Sequence, residues 1–230
     1  MAYEATEFHR PQTRRGSERT TRALRTITRL VIPVIGLLTV LFWADFTSST
    51  PITWFDSYFH VADPRLRPSA WLTGGHLMLT LMFLVLNLTN RRYGPGIAAG
   101  QVIVSWVLLA ALISYQFYDS DRSLNAQILP PPRTCVSFIG ALLFAQFTTI
   151  NVFNWTRGRP WWRAPLYAAL WGSAAFCFVF YPSARYGLGV PWVNEMITYF
   201  GFMAVAAFLM LIPYKALRAT IKPLPGLGGA

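Results

Sequence analysis

Ile150–Pro165 reads INVFNWTRGRPWWRAP, placing Arg157, Arg159, Arg163, Trp155, Trp161, Trp162, Pro160 and Pro165 between two long apolar runs. A guanidinium at the centre of a spanning helix would cost about 2.5–3.5 kcal/mol, so this stretch belongs in the headgroup layer or beyond it. The three indoles suit the same depth, because each has an apolar body and one N–H that needs a polar partner. Pro160 and Pro165 end one helix and favour the start of the next, since a first helical turn needs no N–H partner. The stretch therefore reads as a turn at a membrane surface.

The flanking runs, Cys135–Phe153 and Ala164–Tyr181, meet the requirement of roughly 20 residues to cross about 30 Å of hydrocarbon at 1.5 Å per residue. Four further runs, Leu30–Phe46, Trp71–Thr89, Ile97–Phe117 and Ile197–Tyr214, also fit. The composition agrees, with 54% hydrophobic and 13% charged residues and a mean hydropathy of +0.38. This predicts an all-α, polytopic integral membrane protein rather than a soluble domain. A net charge of +11 would suggest a nucleic-acid partner in a soluble protein, but the placement of the charges explains it without one. If successive connections alternate sides, fifteen of the 20 basic residues fall on one side: the N-terminal segment through Arg29, Arg91–Arg92, Arg157–Arg163, and Lys215, Arg218 and Lys222. The acids Asp45, Asp56, Asp63, Asp119, Asp121 and Glu195 fall on the other. This asymmetry predicts a six-helix bundle in a bacterial inner membrane with both termini cytoplasmic. Three regions follow: a basic tail over 1–28, a transmembrane domain over 29–217, and a disordered tail over 218–230. No removable signal peptide is expected.

The connections carry their own signals. Residues 47–70 are rich in aromatics and are expected to fold back along the interface. Pro130-Pro131-Pro132 makes a stiff approach to the fourth span. Asn90–Pro95 is so short that the helices it joins must be antiparallel neighbours. Helix contacts are expected at Gly96 and Gly100, and along Ala164, Ala168 and Gly172, where small side chains permit close approach in lipid. The basic N-terminal tail is expected to lie on anionic lipid or to dock a partner subunit.

The spans hold no carboxylate pair, no Ser-His-Asp set and no cluster of metal-ligand spacing, so neither enzyme chemistry nor a cofactor is expected. Cys135 and Cys177 stand in separate apolar runs and read as small hydrophobes. His76, beside Gly74 and Gly75, reads either as a hydrogen-bonding partner of a neighbouring helix or as a contact for a pigment, haem iron or quinone. More informative are uncharged polar groups at membrane depth, notably Asn87, Gln101, Gln146, Thr149, Asn151 and Ser173. An amide in hydrocarbon needs a partner, and these six are expected either to join helices or to line one cavity for a polar, uncharged ligand.

Arg133–Gly172 resembles the fourth and fifth spans of the queuosine-precursor transporters of the vitamin uptake transporter group, especially in Val152-Phe153-Asn154, Arg157, Trp161-Trp162 and Ala164-Pro165. Leu88-Thr89 with Arg91, Tyr93 and Gly94 is similar to the family's second-span ending, and Leu112–Tyr115 to its third span. The resemblance covers roughly residues 70–215. It implies a six-helix membrane fold that takes up 7-deazaguanine precursors of a modified nucleoside. Gln146 and Asn154 follow the family pattern. Asn87 and Thr149 stand where the family carries Asp, and Ser173 and Phe176 where it carries Asn and Asp. A charge-assisted bond is roughly twice as strong as a neutral one, so their replacement alters how a guanine-like edge would be held. Two functions follow: a transporter for a small polar heterocycle such as a 7-deazapurine, or a non-transporting accessory subunit of a larger respiratory or photosynthetic membrane complex.

Overall fold

The computed structural model describes residues 12–58, 67–70, 72–119 and 131–227, with side chains of 12–22 and 116–119 outside that description. The basic tail's lipid or protein contacts, the middle of the 47–70 connection and Pro130 of the proline run lie outside these residues. Seven α-helices follow in order: α1 (Gln12–Phe46), α2 (Gly74–Tyr93), α3 (Pro95–Asp119), α4 (Pro132–Trp155), α5 (Arg163–Arg185), α6 (Trp192–Leu209) and α7 (Leu211–Thr220). A 3-10 turn spans Pro68–Ala70. No strand occurs among the described residues, where the only extended pairing is an isolated bridge between Pro51 and Thr73.

Among the described residues, five segments are long and apolar enough to cross a membrane: Ala23–Phe46, Pro95–Tyr115, Pro132–Trp155, Arg163–Arg185 and Trp192–Thr220. The expected span Trp71–Thr89, which became α2, does not qualify by composition. The reason is where it sits. α2 touches each of α1, α3, α4, α5, α6 and α7, and Asn87, Thr89, Asn90 and Arg91 on its C-terminal half are all buried. A helix enclosed by other helices need not be apolar all round, because its polar groups face protein rather than lipid. The apolar surface instead lies on the outer helices, where Ile103, Val107 and Leu112 of α3, Phe144 of α4 and Phe178 of α5 are exposed.

Small residues set the closest approaches. A Cβ on Gly172 of α5 would collide with Thr149 Oγ1 of α4 and stand 2.7 Å from Phe83 Cε1 of α2. Gly74 and Gly75 let the end of α1 close on α2, since added Cβ atoms would meet Thr47 Cβ at 2.9 Å and Ala44 O at 2.5 Å. The expected contact at Gly96 is absent, because nothing lies within 4 Å of its Cβ position, whereas Gly100 packs on Leu30 of α1. The Ala164, Ala168 and Gly172 face is buried as the spacing requires.

The helix starts and stops have local causes. Pro95 and Pro132 stand in the first turns of α3 and α4, where their missing N–H is harmless. Pro213 cannot bond back to Leu209, and the helix breaks at Met210 into α6 and α7. At one end of the bundle, Ser69 N–H donates to Asp56 Oδ1 at 2.9 Å, and Ile52 N–H to Leu72 O at 3.0 Å, folding the α1–α2 connection onto the head of α2.

The opposite end gathers Arg91, Arg92, Arg157, Arg218 and Lys222. Here residues 221–227 lie against the ends of α2 and the α4–α5 connection. Leu224 N–H donates to Arg92 O at 3.1 Å, Arg92 Nη1 to Lys222 O at 3.4 Å and Arg157 Nη1 to Leu227 O at 3.1 Å. Pro223 and Pro225 forbid helix, but guanidinium donors from the end of α2 and from the α4–α5 connection meet the carbonyls of Lys222 and Leu227. Gly94 fits this junction twice over: its φ is 85°, and a Cβ would press on Leu227 Cδ2 at 3.2 Å.

Candidate functional site

Five of the six polar residues are buried in the bundle: Asn87 on α2, Gln101 on α3, Gln146 and Thr149 on α4, and Ser173 on α5. Asn151 is not among them. It is exposed and its Nδ2 donates to Phe147 O at 2.9 Å on the outer side of α4.

Most of the five are already bonded. Gln146 accepts from Trp106 Nε1 at 2.8 Å and directs Nε2 at Met82 Sδ, 3.0 Å away, tying α3, α4 and α2 together. Gln101 Nε2 donates to Pro33 O at 2.8 Å, joining α3 to α1. Thr149 and Ser173 hydroxyls each donate at 2.8 Å to the carbonyl one turn back, Ala145 O and Ala169 O. Asn87 Nδ2 donates to Pro165 O at 3.1 Å on α5. What remains is a set of acceptors. Asn87 Oδ1, Gln101 Oε1 and Ser105 Oγ are buried with no hydrogen-bond partner among the described residues. Each such atom carries a desolvation cost of about 1–3 kcal/mol until a donor arrives.

Of the three, Asn87 borders open space. A crevice of about 10 Å³, walled by Thr80, Phe83, Asn87, Pro165, Met203 and Tyr214, separates α2 and α5 from α6 and α7. That volume holds one water and no more. The interior is therefore closed around Asn87, with the α6–α7 break forming one wall.

His76 serves the fold. Its Nδ1 accepts from Thr73 N–H at 3.1 Å and lies 2.9 Å from the Thr73 hydroxyl, capping α2, while its ring meets Tyr199 edge-on at 4.8 Å. Asn154 is exposed.

Sequence reasoning passed over Asn90. It is 1% exposed; its Nδ2 donates to Ile150 O at 2.9 Å, and its O and Oδ1 receive Arg157 Nη2 at 2.9 and 3.2 Å. Asn87, Asn90 and Arg91 recur at i, i+3 and i+4, the spacing of one helix face, and that was the available signal.

Residues 73–217 match the family described as "Putative vitamin uptake transporter". The chain belongs to the vitamin uptake transporter family. The matched residues include α2, α3, α4, α5 and α6, and hence every buried polar group above. A curated protein of Haemophilus influenzae named "Probable queuosine precursor transporter" is 30% identical over 140 residues, covering 57% of this chain and 59% of that protein. The match thus spans under two thirds of the relative's length. No solved structure matches the chain. Both findings are transporters, and neither supports an accessory subunit.

Proposed function

We propose that this member of the vitamin uptake transporter family crosses a bacterial inner membrane six times, with both termini cytoplasmic, and carries a small polar heterocycle of the 7-deazapurine class through the interior around α2. The observation that carries the reading is the Asn87 carbonyl, buried, unpartnered and facing the one-water crevice beneath α6 and α7. A ring N–H or exocyclic amine would complete it, and no protein group does among the described residues. Gln101, Gln146, Thr149 and Ser173 are the polar residues a ligand would meet as it advanced, while Asn151 is placed on the outside of the bundle.

In this reading the described state is occluded. Admission of a bicyclic ring requires α6 and α7 to part from α2 and α5, and the break at Met210, left by Pro213, is where the wall gives. Orientation follows from the basic end, because lysine and arginine concentrate on the cytoplasmic side. The relative's queuosine-precursor label supports the substrate class. The neutral amide in this chain sets the strength of the grip below that of a carboxylate.

The test is uptake of a labelled 7-deazapurine by cells that cannot synthesise it. Expression of the native chain is expected to raise uptake above the empty vector, Asn87→Ala to lower it about tenfold, the loss of one buried hydrogen bond, and Asn87→Asp to retain or raise it. Uptake equal to the empty vector, in cells where the protein is shown to reach the membrane, would overturn the reading.

A further inference from the structure

We infer that the basic end of the bundle holds a binding site for a phosphate group, separate from the crevice at Asn87. A cavity of about 720 Å³ opens there, lined by Arg91, Gly158, Arg159, Pro160, Trp161, Arg218 and Pro223. Three of the seven lining residues are arginines, and none is acidic.

Arg91 makes this more than a solvated patch. Only 6% exposed, it has Nε and Nη1 buried with no hydrogen-bond partner among the described residues. These two donors are enclosed in protein, and a buried charge whose donors are unmet is costly unless an anion stands close to it, as one in the cavity lined by the same side chain would. A guanidinium presents parallel N–H groups that match two oxygens of one phosphate, which a lysine ammonium cannot do.

The other walls are held in place. Trp161 stacks on Tyr214 with ring centroids 6.4 Å apart and 9° between planes. Over its ring lie Lys215 Nζ at 5.9 Å and Arg218 Cζ at 5.6 Å. These contacts set Arg218 on the same rim as Arg91, which comes from a different helix. Arg159 sits on the loop between α4 and α5, exposed and able to close over a ligand. Three guanidiniums suit a phosphate better than a single carboxylate, and the volume leaves room for a glycerol or sugar attached to it. An acidic phospholipid headgroup and a soluble phosphate ester share this chemistry.

The experiment uses the full chain, purified in mild detergent and stripped of lipid, with binding read by native mass spectrometry and by the shift in melting temperature. The probes are phosphatidylglycerol, glycerol phosphate and inorganic phosphate, with phosphatidylcholine as the uncharged-headgroup comparison. One phosphatidylglycerol is expected to bind with an affinity at least about tenfold above phosphatidylcholine, the worth of one charge-assisted contact. Glycerol phosphate displacing it identifies a site open to soluble esters; failure to displace identifies a lipid site, and both outcomes support the inference. Arg91→Gln is expected to abolish the preference. Arg159→Gln with Arg218→Gln, which leaves the buried core intact, is expected to weaken binding about tenfold for the same reason. Equal binding of the two lipids with no effect of either soluble probe, or a preference unchanged in the Arg159→Gln/Arg218→Gln chain, would overturn it.

Discussion

Replacing Gly172 with leucine is expected to abolish the folded protein, and even Gly172→Ala is expected to lower its melting temperature. The position admits no side chain: a Cβ would collide with Thr149 Oγ1, stand 2.7 Å from Phe83 Cε1, and lie 3.3 Å from the Ala145 carbonyl. Phe83 is a rigid ring on the central helix, and Thr149 is held by its bond to Ala145 O at 2.8 Å, so neither yields cheaply. Overpacking of this kind costs about 1–3 kcal/mol for small increments and more for a branched chain. In lipid there is no exclusion of water between helices to offset the lost contact. The identity of the obstruction is itself testable. Thr149→Ala removes the colliding oxygen, so Gly172→Ala combined with Thr149→Ala is expected to be more stable than Gly172→Ala alone, measured by detergent melting. A strictly additive pair would show that the two helices do not meet there.

Arg157→Ala is the second large effect expected. One side chain holds three carbonyl oxygens: Asn90 O and Oδ1 through Nη2, and Leu227 O through Nη1. It also lies over the Phe153 ring at 5.4 Å. Through these contacts the α4–α5 connection, the end of α2 and the C-terminal segment become one junction. Hydrogen bonds to a charged group contribute about 1.5–3 kcal/mol each when buried, and this site is only partly so, which gives an expected loss of about 2–3 kcal/mol. Arg157→Lys is expected to lose nearly as much, because a single ammonium cannot span the Asn90 carbonyls and Leu227 together. Protease cleavage after the loss should begin near residues 221–227, the segment released first; cleavage elsewhere with the tail still protected would contradict the junction.

The sequence revealed the outer helices more clearly than the inner one. Runs such as Ile97–Phe117 announce themselves because they face lipid and must be apolar. α2 is the reverse case: its centrality permits Asn87, Asn90 and Arg91, and those residues leave it outside the five apolar spans. Arg91 illustrates the confusion. Counted along the chain it marks a membrane face, yet it is buried and lines a cavity with Trp161 and Arg218. Residues so distant in sequence cannot be seen to meet.

Local spacing accounts for several side-chain placements. At 3.6 residues per turn Asn151 lies roughly 140° around α4 from Gln146, so it could not share a face with Gln146 and Thr149. The contacts of the Pro- and Gly-rich end are not legible in its own residues, because its partners Arg92 and Arg157 stand far off in the chain, at the end of α2 and in the α4–α5 connection. His76, which reads either as a hydrogen-bonding partner of a neighbouring helix or as a ligand contact, bonds to Thr73 three residues earlier and meets Tyr199 of α6 edge-on. The buried hydroxyls of Thr149 and Ser173 satisfy themselves within their own helices, and that also follows from residue type.

We propose that α2, despite its polarity, runs from one membrane face to the other with its arginine end in the cytoplasm. It is tested by single cysteines placed on either side of α2, at exposed Thr53 and at Gly96, where a side chain meets nothing within 4 Å, in a chain carrying Cys135→Ser and Cys177→Ala. With a membrane-impermeant maleimide on intact cells, Thr53→Cys is expected to label from outside and Gly96→Cys only after the membrane is opened. Labelling of both from the same side would contradict it.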